Sequence, residues 1–315
     1  MGKTSKPRAG SLQFWHRKRA RRIYPRIRSW TKLSKSPLLG FIGYKVGITQ
    51  VQGLDQNPAK KSKEPIVTAA TIIECPPIKT LSIRYYQKSY KGLKVVGEKL
   101  AEKLDKSLDK KLRLPKNPKN KEIKEFDDIR LVLYTQPKLT TINKKKPEIF
   151  EVALPGKKEE KLELANKYLN SEIKISEIFE ENTLIDVHAV TKGKGFQGAV
   201  KRFGISLKSH KSEKKRRSAG NMGAWTPKKV SFRIPQAGQT GYHTRTEHNK
   251  LIFKISDKLE EINPKAGFTH YGNVKNEYII VKGSIPGAIK RPVRLTAAMR
   301  PQKNISQFQL QEIKK

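Results

Sequence analysis

Cysteine is nearly absent: Cys75 is the only one in 315 residues. One thiol excludes an intrachain disulfide framework and a cysteine-based zinc site, and it fits a reducing compartment. Long apolar runs are missing too. The longest, Ile66–Ile73, is about eight residues, far short of the roughly 18 that a membrane helix needs. The first 30 residues are Arg-rich without an apolar stretch, unlike a secretory signal. Histidine is sparse, at His16, His188, His210, His243, His248 and His270, and none forms a His-Glu-x-x-His set. His243 and His248 are five apart, off the spacing that puts two ligands on one helical face. Asp186 and His188 alternate onto one strand face without a nucleophile beside them, and read as polar residues on an outer face. No catalytic residue, metal site or cofactor motif stands out. The largest deficit is acid: 28 Asp+Glu face 68 Lys+Arg, a formal net charge of +40.

Such a charge repels itself in any compact shape, so a polyanion must offset it in use. Its distribution says where. Residues 1–38 hold 12 Lys/Arg and no acid, and residues 201–246 hold 12 Lys/Arg and one acid, Glu213. Residues 97–182 hold 20 basic against 17 acidic residues. One segment resembles ordinary globular protein, and two resemble charged arms.

The pattern predicts short strands at Phe41–Thr49, Ile66–Ile73, Leu81–Tyr85, Ile129–Tyr134, Leu184–Val190 and Tyr278–Val281. Val, Ile, Tyr and Thr runs with Gly and Pro between them point to an antiparallel barrel or sandwich. Leu100, Leu104 and Leu108 predict one helix, and Leu162, Ala165 and Leu169 a second, each with a Glu-to-Lys i,i+4 pair. The fold class is therefore mixed and β-rich, with an α+β insertion and long non-globular basic extensions. Residues 201–246 show no sustained period, and roughly 45 such residues are too many for a simple connection.

The arms carry the candidate binding residues. Arg17, Lys18, Arg19, Arg21, Arg22, Arg26 and Arg28 are interleaved with Phe14, Trp15, Tyr24 and Trp30. Cations neutralise phosphates and release counterions, while aromatic planes stack on unpaired bases. A second cluster, Lys214, Lys215, Arg216 and Arg217, precedes a Gly-rich stretch with Trp225, then Lys228 and Lys229. That arrangement reads as the tip of an inserted loop. Thr191–Gly198 places Lys192 and Lys194 between glycines after a strand, a backbone that can touch phosphate. It lacks the Lys-Ser/Thr pair of a Walker loop. Lys201, Arg202, Arg233, His243 and Arg245 complete the candidate nucleic-acid contacts. An RNA-modifying enzyme or a DNA-compacting chromatin protein would share the charge. The first needs a cofactor pocket that the sequence does not show, and the second lacks a helix-turn-helix pattern here.

Five motifs in order carry a family resemblance: Pro7–Leu12 with Arg17–Arg19, Gly43–Thr49, Thr191–Phe196, Gly223–Pro227 and Ala237–Glu247. On these the chain resembles the large-subunit ribosomal protein three family in its archaeal and eukaryotic form. The resemblance implies a translation-protein-type barrel and contact with large-subunit rRNA and neighbouring large-subunit proteins. It implies a place in the cytoplasmic ribosome and an early role in assembly, with no membrane or small-molecule substrate. It matches Trp225 to an aromatic tip that approaches the peptidyl transferase centre. Thr226 stands where eukaryotic members have His, and Glu213 where they have a modifiable His. The implied segments are a basic extension (1–40), the first part of the barrel (41–96) and the insertion (97–182). After these come a barrel strand and hinge (183–200), a central extension (201–265) with its tip near 225, and the remaining barrel and tail (266–315). The extensions are expected to be disordered in the free protein and to order on binding.

Overall fold

The computed structural model describes residues 16–31, 36–56, 64–113, 115, 123, 125–211, 215–224, 226, 228–302 and 307–314. In chain order they form β1 (Gly40–Asp55), β2 (Ile66–Glu74), β3 (Ile78–Ser89), β4 (Gly92–Leu100), β5 (Asp128–Tyr134), β6 (Ile149–Ala153), α1 (Lys158–Leu169), β7 (Glu172–Ile173) and β8 (Leu184–Val190). There follow β9 (Gly195–Gln197), α2 (Ala199–Phe203), β10 (Gly238–Thr240), β11 (Thr244–Ser256), β12 (Tyr278–Lys282), β13 (Pro292–Ala297) and β14 (Phe308–Lys314). The fold is β-rich, its sheets are antiparallel and its helices are few. Two compact units divide it: residues 1–22 with 191–244, and residues 23–190 with 245–315. This division differs from the segments read off the sequence, because residues 23–30 and most of β11 pack with the larger unit.

Within the larger unit, one sheet has the order β13-β8-β11-β12-β2-β1-β14, and β1 also pairs with β13. Six strands thus form a closed circuit of pairings. The length of β1 makes this possible: Gly40–Tyr44 pairs with β13, and Gln50–Asp55 pairs with β14. Successive residues face opposite sides of a strand, and here both sides are buried. Ile73, Ile279, Val281, Ile252, Val187 and Leu295 join one apolar cluster. Their neighbours Ile72, Ile280, Tyr278, Phe253 and Leu251 join another. Two-sided burial explains why these strands read as continuous apolar runs rather than alternations. Each fully buried Ile or Phe contributes about 1.5–3 kcal/mol.

Asp186 corrects one expectation. It lies fully buried and not on an outer face. Its carboxylate accepts from His248 Nδ1 (2.8 Å) and from the amides of Asn249 (3.0 Å) and Met299 (3.1 Å). Its role is to tie β8 to β11 and to the chain after β13. Cys75 is buried as well, and desolvation pushes its thiol well above the ordinary range, so it is a poor nucleophile.

The second sheet runs β4-β3-β5-β6, with β7 on the start of β3. The predicted strand Leu81–Tyr85 lies here and not in the circuit. The second predicted helix is α1, which buries Ala165, Tyr168 and Leu169. Its first turn is closed by Glu160, whose carboxylate accepts the Lys157 amide at 3.1 Å. The first predicted helix does not form. Leu100 ends β4 opposite Ser82, and only Lys106–Lys110 makes a 3-10 turn. The three leucines still converge: Leu108 is fully buried against Leu81, Val132 and Tyr134, with Leu100 and Leu104 beside it.

Residues 23–30 are not a free arm. Tyr24 and Ile27 are buried, and the Tyr24 hydroxyl donates to the Ile149 carbonyl at 2.6 Å. Buried Arg294 donates to the Pro25 carbonyl (3.2 Å) and the Glu151 carbonyl (2.5 Å), with Trp30 and Phe150 over its guanidinium. Tyr24 and Trp30, expected as stacking planes for bases, are thus committed to the protein interior.

Candidate nucleic-acid interface

The smaller unit is built on a short stem. Gly195–Gln197 pairs with Gly238–Thr240. The Lys194 amide donates to the Thr240 carbonyl and the Thr191 amide to the His243 carbonyl, both at 2.9 Å. Gly241 closes the stem at φ +73°, and a Cβ there would lie 2.1 Å from the Lys192 carbonyl oxygen. Only glycine fits.

The basic N-terminal segment docks on this stem. The Ala20 amide donates to the Tyr242 carbonyl at 2.8 Å. Buried His243 donates from Nδ1 to the Lys18 carbonyl at 2.9 Å, which fixes its tautomer. Arg19 lies over the Tyr242 ring at 5.8 Å. Arg17 donates to the Arg202 carbonyl at 2.8 Å and covers the Phe203 ring at 4.5 Å. Arg202 donates to the carbonyls of Gln236 (2.9 Å) and Gln239 (3.2 Å), and desolvation together with Arg17 lowers its pKa. Arg17, Arg202 and His243 therefore use donors inside the chain. They hold two segments together and leave other cations to face outward.

Those other cations are numerous. Lys18, Arg19, Arg21, Arg22, Lys192, Lys194, Lys201, Lys215, Arg216, Arg217, Lys228, Lys229 and Arg233 are exposed. Arg216 and Lys208 bond across a turn, with Lys208 N–H to the Arg216 carbonyl at 3.1 Å. Arg233 lies over Phe232 at 5.6 Å. Arg26, Arg28 and Arg245 belong to the larger unit and are exposed there. Lys214 and Trp225 lie outside the described residues. In sequence, the smaller unit has eight Lys/Arg in residues 1–22 and 13 in residues 191–244, against the single acid Glu213. That is a formal +20, half of the chain's +40.

One functional candidate escaped the sequence reading. Phe196 is 77% exposed in the middle of the stem, beside Lys194. The Lys-Gly-Lys-Gly-Phe spacing was legible as a phosphate cradle, but nothing in it said that the ring points outward. Among the described residues no group of His, Cys, Asp and Glu could hold a metal. No helix among them is long and apolar enough to cross a membrane.

The family model for ribosomal protein L3 matches residues 1–315. The chain belongs to that family. It is 44% identical to the large ribosomal subunit protein uL3 of Archaeoglobus fulgidus, over 96% of this chain and 94% of the relative. It is also 44% identical to the uL3 of Methanobrevibacter smithii, over 94% and 92%, and 43% identical to that of Methanothermobacter thermautotrophicus, over 95% and 94%. Both the family and these relatives are named for the ribosome and not for a reaction. The resemblance drawn from five motifs is thus correct, and the three relatives named above are archaeal.

Proposed function

We propose that this chain is a structural constituent of the large ribosomal subunit and that its smaller unit binds large-subunit rRNA. The observation that carries the reading is the concentration of unopposed cations in that unit, in a chain whose relatives are large-subunit proteins. Lys18, Arg19, Arg21, Arg22, Lys192, Lys194, Lys201, Lys215, Arg216, Arg217, Lys228, Lys229 and Arg233 lie on phosphates. Arg17, Arg202 and His243 position the segments that present them. Arg26, Arg28 and Arg245 extend the phosphate contacts onto the larger unit. Phe196 stacks on an unpaired base.

The six-strand circuit is the translation-protein-type barrel that the resemblance implies, and the second sheet with α1 is the insertion. Trp225 and Lys214 belong to the loop tip directed at the peptidyl transferase centre. The support there is the motif Gly223–Pro227 and the exposed cations on both sides of it. The protein acts in the cytoplasmic ribosome, beside neighbouring large-subunit proteins, from an early stage of assembly.

The test is competition between large-subunit rRNA and DNA at one stated salt concentration. The rRNA should win. The triple variant Lys192→Gln, Lys194→Gln, Lys201→Gln should flatten the salt dependence by about two to three units. A Trp225→Ala chain should assemble into subunits and disturb aminoacyl-tRNA accommodation. Equal affinity for DNA, with an unchanged salt slope in the triple variant, would overturn the reading.

A further inference from the structure

The β3–β4 hairpin leaves the body of its sheet. β5 pairs with β3 only as far as Tyr86, whereas β4 pairs with β3 out to Ser89. Gln87–Ser89 and Gly92–Lys94 therefore form a two-stranded ribbon joined by the turn Tyr90-Lys91, with Gly92 at φ +114°. Every residue from Gln87 to Val96 is exposed. A two-stranded ribbon on its own is marginally stable in water, so an overhang of this kind gains from a partner. Its composition says which. Tyr90 is 92% exposed at the tip, and Leu93, Val95 and Val96 are exposed behind it. Lys88 and Lys94 lie on the two strands, on opposite faces of the ribbon, and Lys91 Nζ lies 5.2 Å from the ring centroid. The nearby carboxylates are engaged: Asp127 accepts the Lys88 amide at 2.6 Å, and Glu98 bonds Ser82 and Arg84. An exposed aromatic ring at the tip of a ribbon that carries three lysines fits a polyanion with flat, unstacked faces.

We propose that the Tyr90 hairpin is a second RNA-contact site, separate from the smaller unit, in which Tyr90 stacks on an unpaired base and Lys88, Lys91 and Lys94 meet the flanking phosphates. The proposal rests on the rRNA reading above and extends it to the larger unit. Bases inside an A-form duplex are already stacked on one another and its major groove is too narrow for side chains, so the target is a loop, bulge or strand end.

The experiment uses the full chain and large-subunit rRNA at fixed salt. Tyr90→Ala should weaken binding about tenfold, from the value of one base–aromatic stack, while Tyr90→Phe keeps the affinity. Lys88→Gln, Lys91→Gln, Lys94→Gln should lower the salt slope by about two units. Ultraviolet crosslinking should join RNA to the peptide holding Tyr90. Thermal melting should be unchanged in every variant, since the replaced side chains are exposed. If wild type fails to bind rRNA, the functional reading itself falls. If wild type binds and the Lys192, Lys194, Lys201 variant weakens it, but the Tyr90 and lysine variants match wild type, the hairpin proposal alone is overturned. Loss of a neighbouring protein instead of RNA from purified subunits holding Tyr90→Ala would also overturn it, in favour of a protein partner.

Discussion

Gly241 shows how one missing Cβ holds the smaller unit together. Its φ of +73° and its approach to the Lys192 carbonyl allow the chain to turn from β10 towards His243. Gly241→Ala should cost about 1–3 kcal/mol from backbone strain alone, with the steric clash added. Hydrogen exchange at the Lys194 and Thr191 amides reads this loss directly, while the Ile72 and Ile280 amides of the larger unit should not change. The sequence placed Gly241 in a recognisable motif but could not say that the constraint was a carbonyl 49 residues earlier, that of Lys192. His188 makes a second residue-scale case. Burial and Arg294 push its pKa down to about 4 from 6.5, and its ring bonds Thr246 (2.9 Å) and Thr296 (3.1 Å). The unfolded chain takes up this proton before the folded one does, so stability falls as pH drops from about 6.5 towards 4. His188→Gln, which keeps a polar side chain without that titration, should show a flatter pH dependence across this window. After discounting for partial exposure the difference is about 1–2 kcal/mol, measured by denaturant melts at pH 4.5 and 7.

At the scale of elements, legibility followed continuous apolar runs. All six predicted strands exist, because each contains a continuous buried run: Gly40–Val46 in β1, Ala70–Glu74 in β2, Thr80–Ile83 in β3, Leu131–Tyr134 in β5, Ile185–Val187 in β8 and Tyr278–Val281 in β12. The strands that escaped notice have weaker apolar signals. β11 opens with Thr244–Lys250, largely exposed and polar, and β13 opens on Pro292 and includes Arg294. β4 is exposed along most of its length. The failed helix at Leu100–Leu108 carries a different lesson. Its leucines do face one apolar cluster, but Leu100 gets there from a strand and Leu108 from a 3-10 turn. A period of four located the contacts and missed the backbone. Two substitutions separate these readings. Leu108→Ala should cost about 2–5 kcal/mol, as for any large core side chain. Lys103→Gly, on an exposed bend, should cost almost nothing, whereas in a helix interior it would cost about 0.5–1 kcal/mol. Thermal melts of the two variants decide the matter.

At the scale of the molecule, charge and core are segregated. The larger unit contains the apolar clusters, and the smaller unit contains half the net charge in under a quarter of the residues. The charged stretches were legible as composition. Their docking was not, because it runs through main-chain carbonyls of Lys18, Arg202 and Tyr242 that no residue pattern reveals. Among the described residues of 205–236 no strand or α-helix forms, and the Lys208 amide donates to the Arg216 carbonyl at 3.1 Å. Like charges at this density repel over about 10 Å at 0.1 M salt and less as salt rises. The free protein should therefore open unevenly. At low ionic strength, amides in 205–236 should exchange fast, those of Thr191 and Lys194 more slowly, and those of Ile72 and Ile280 slowest. Raising the salt to about 0.5 M should protect Thr191 and Lys194 by screening, and leave Ile72 and Ile280 as they were. Adding rRNA should do more, ordering 205–236 itself, since phosphates cancel the repulsion at close range. Strong protection across 205–236 without RNA would mean that the smaller unit is held by its own bonds, and that its cations are not waiting for a polyanion to order them.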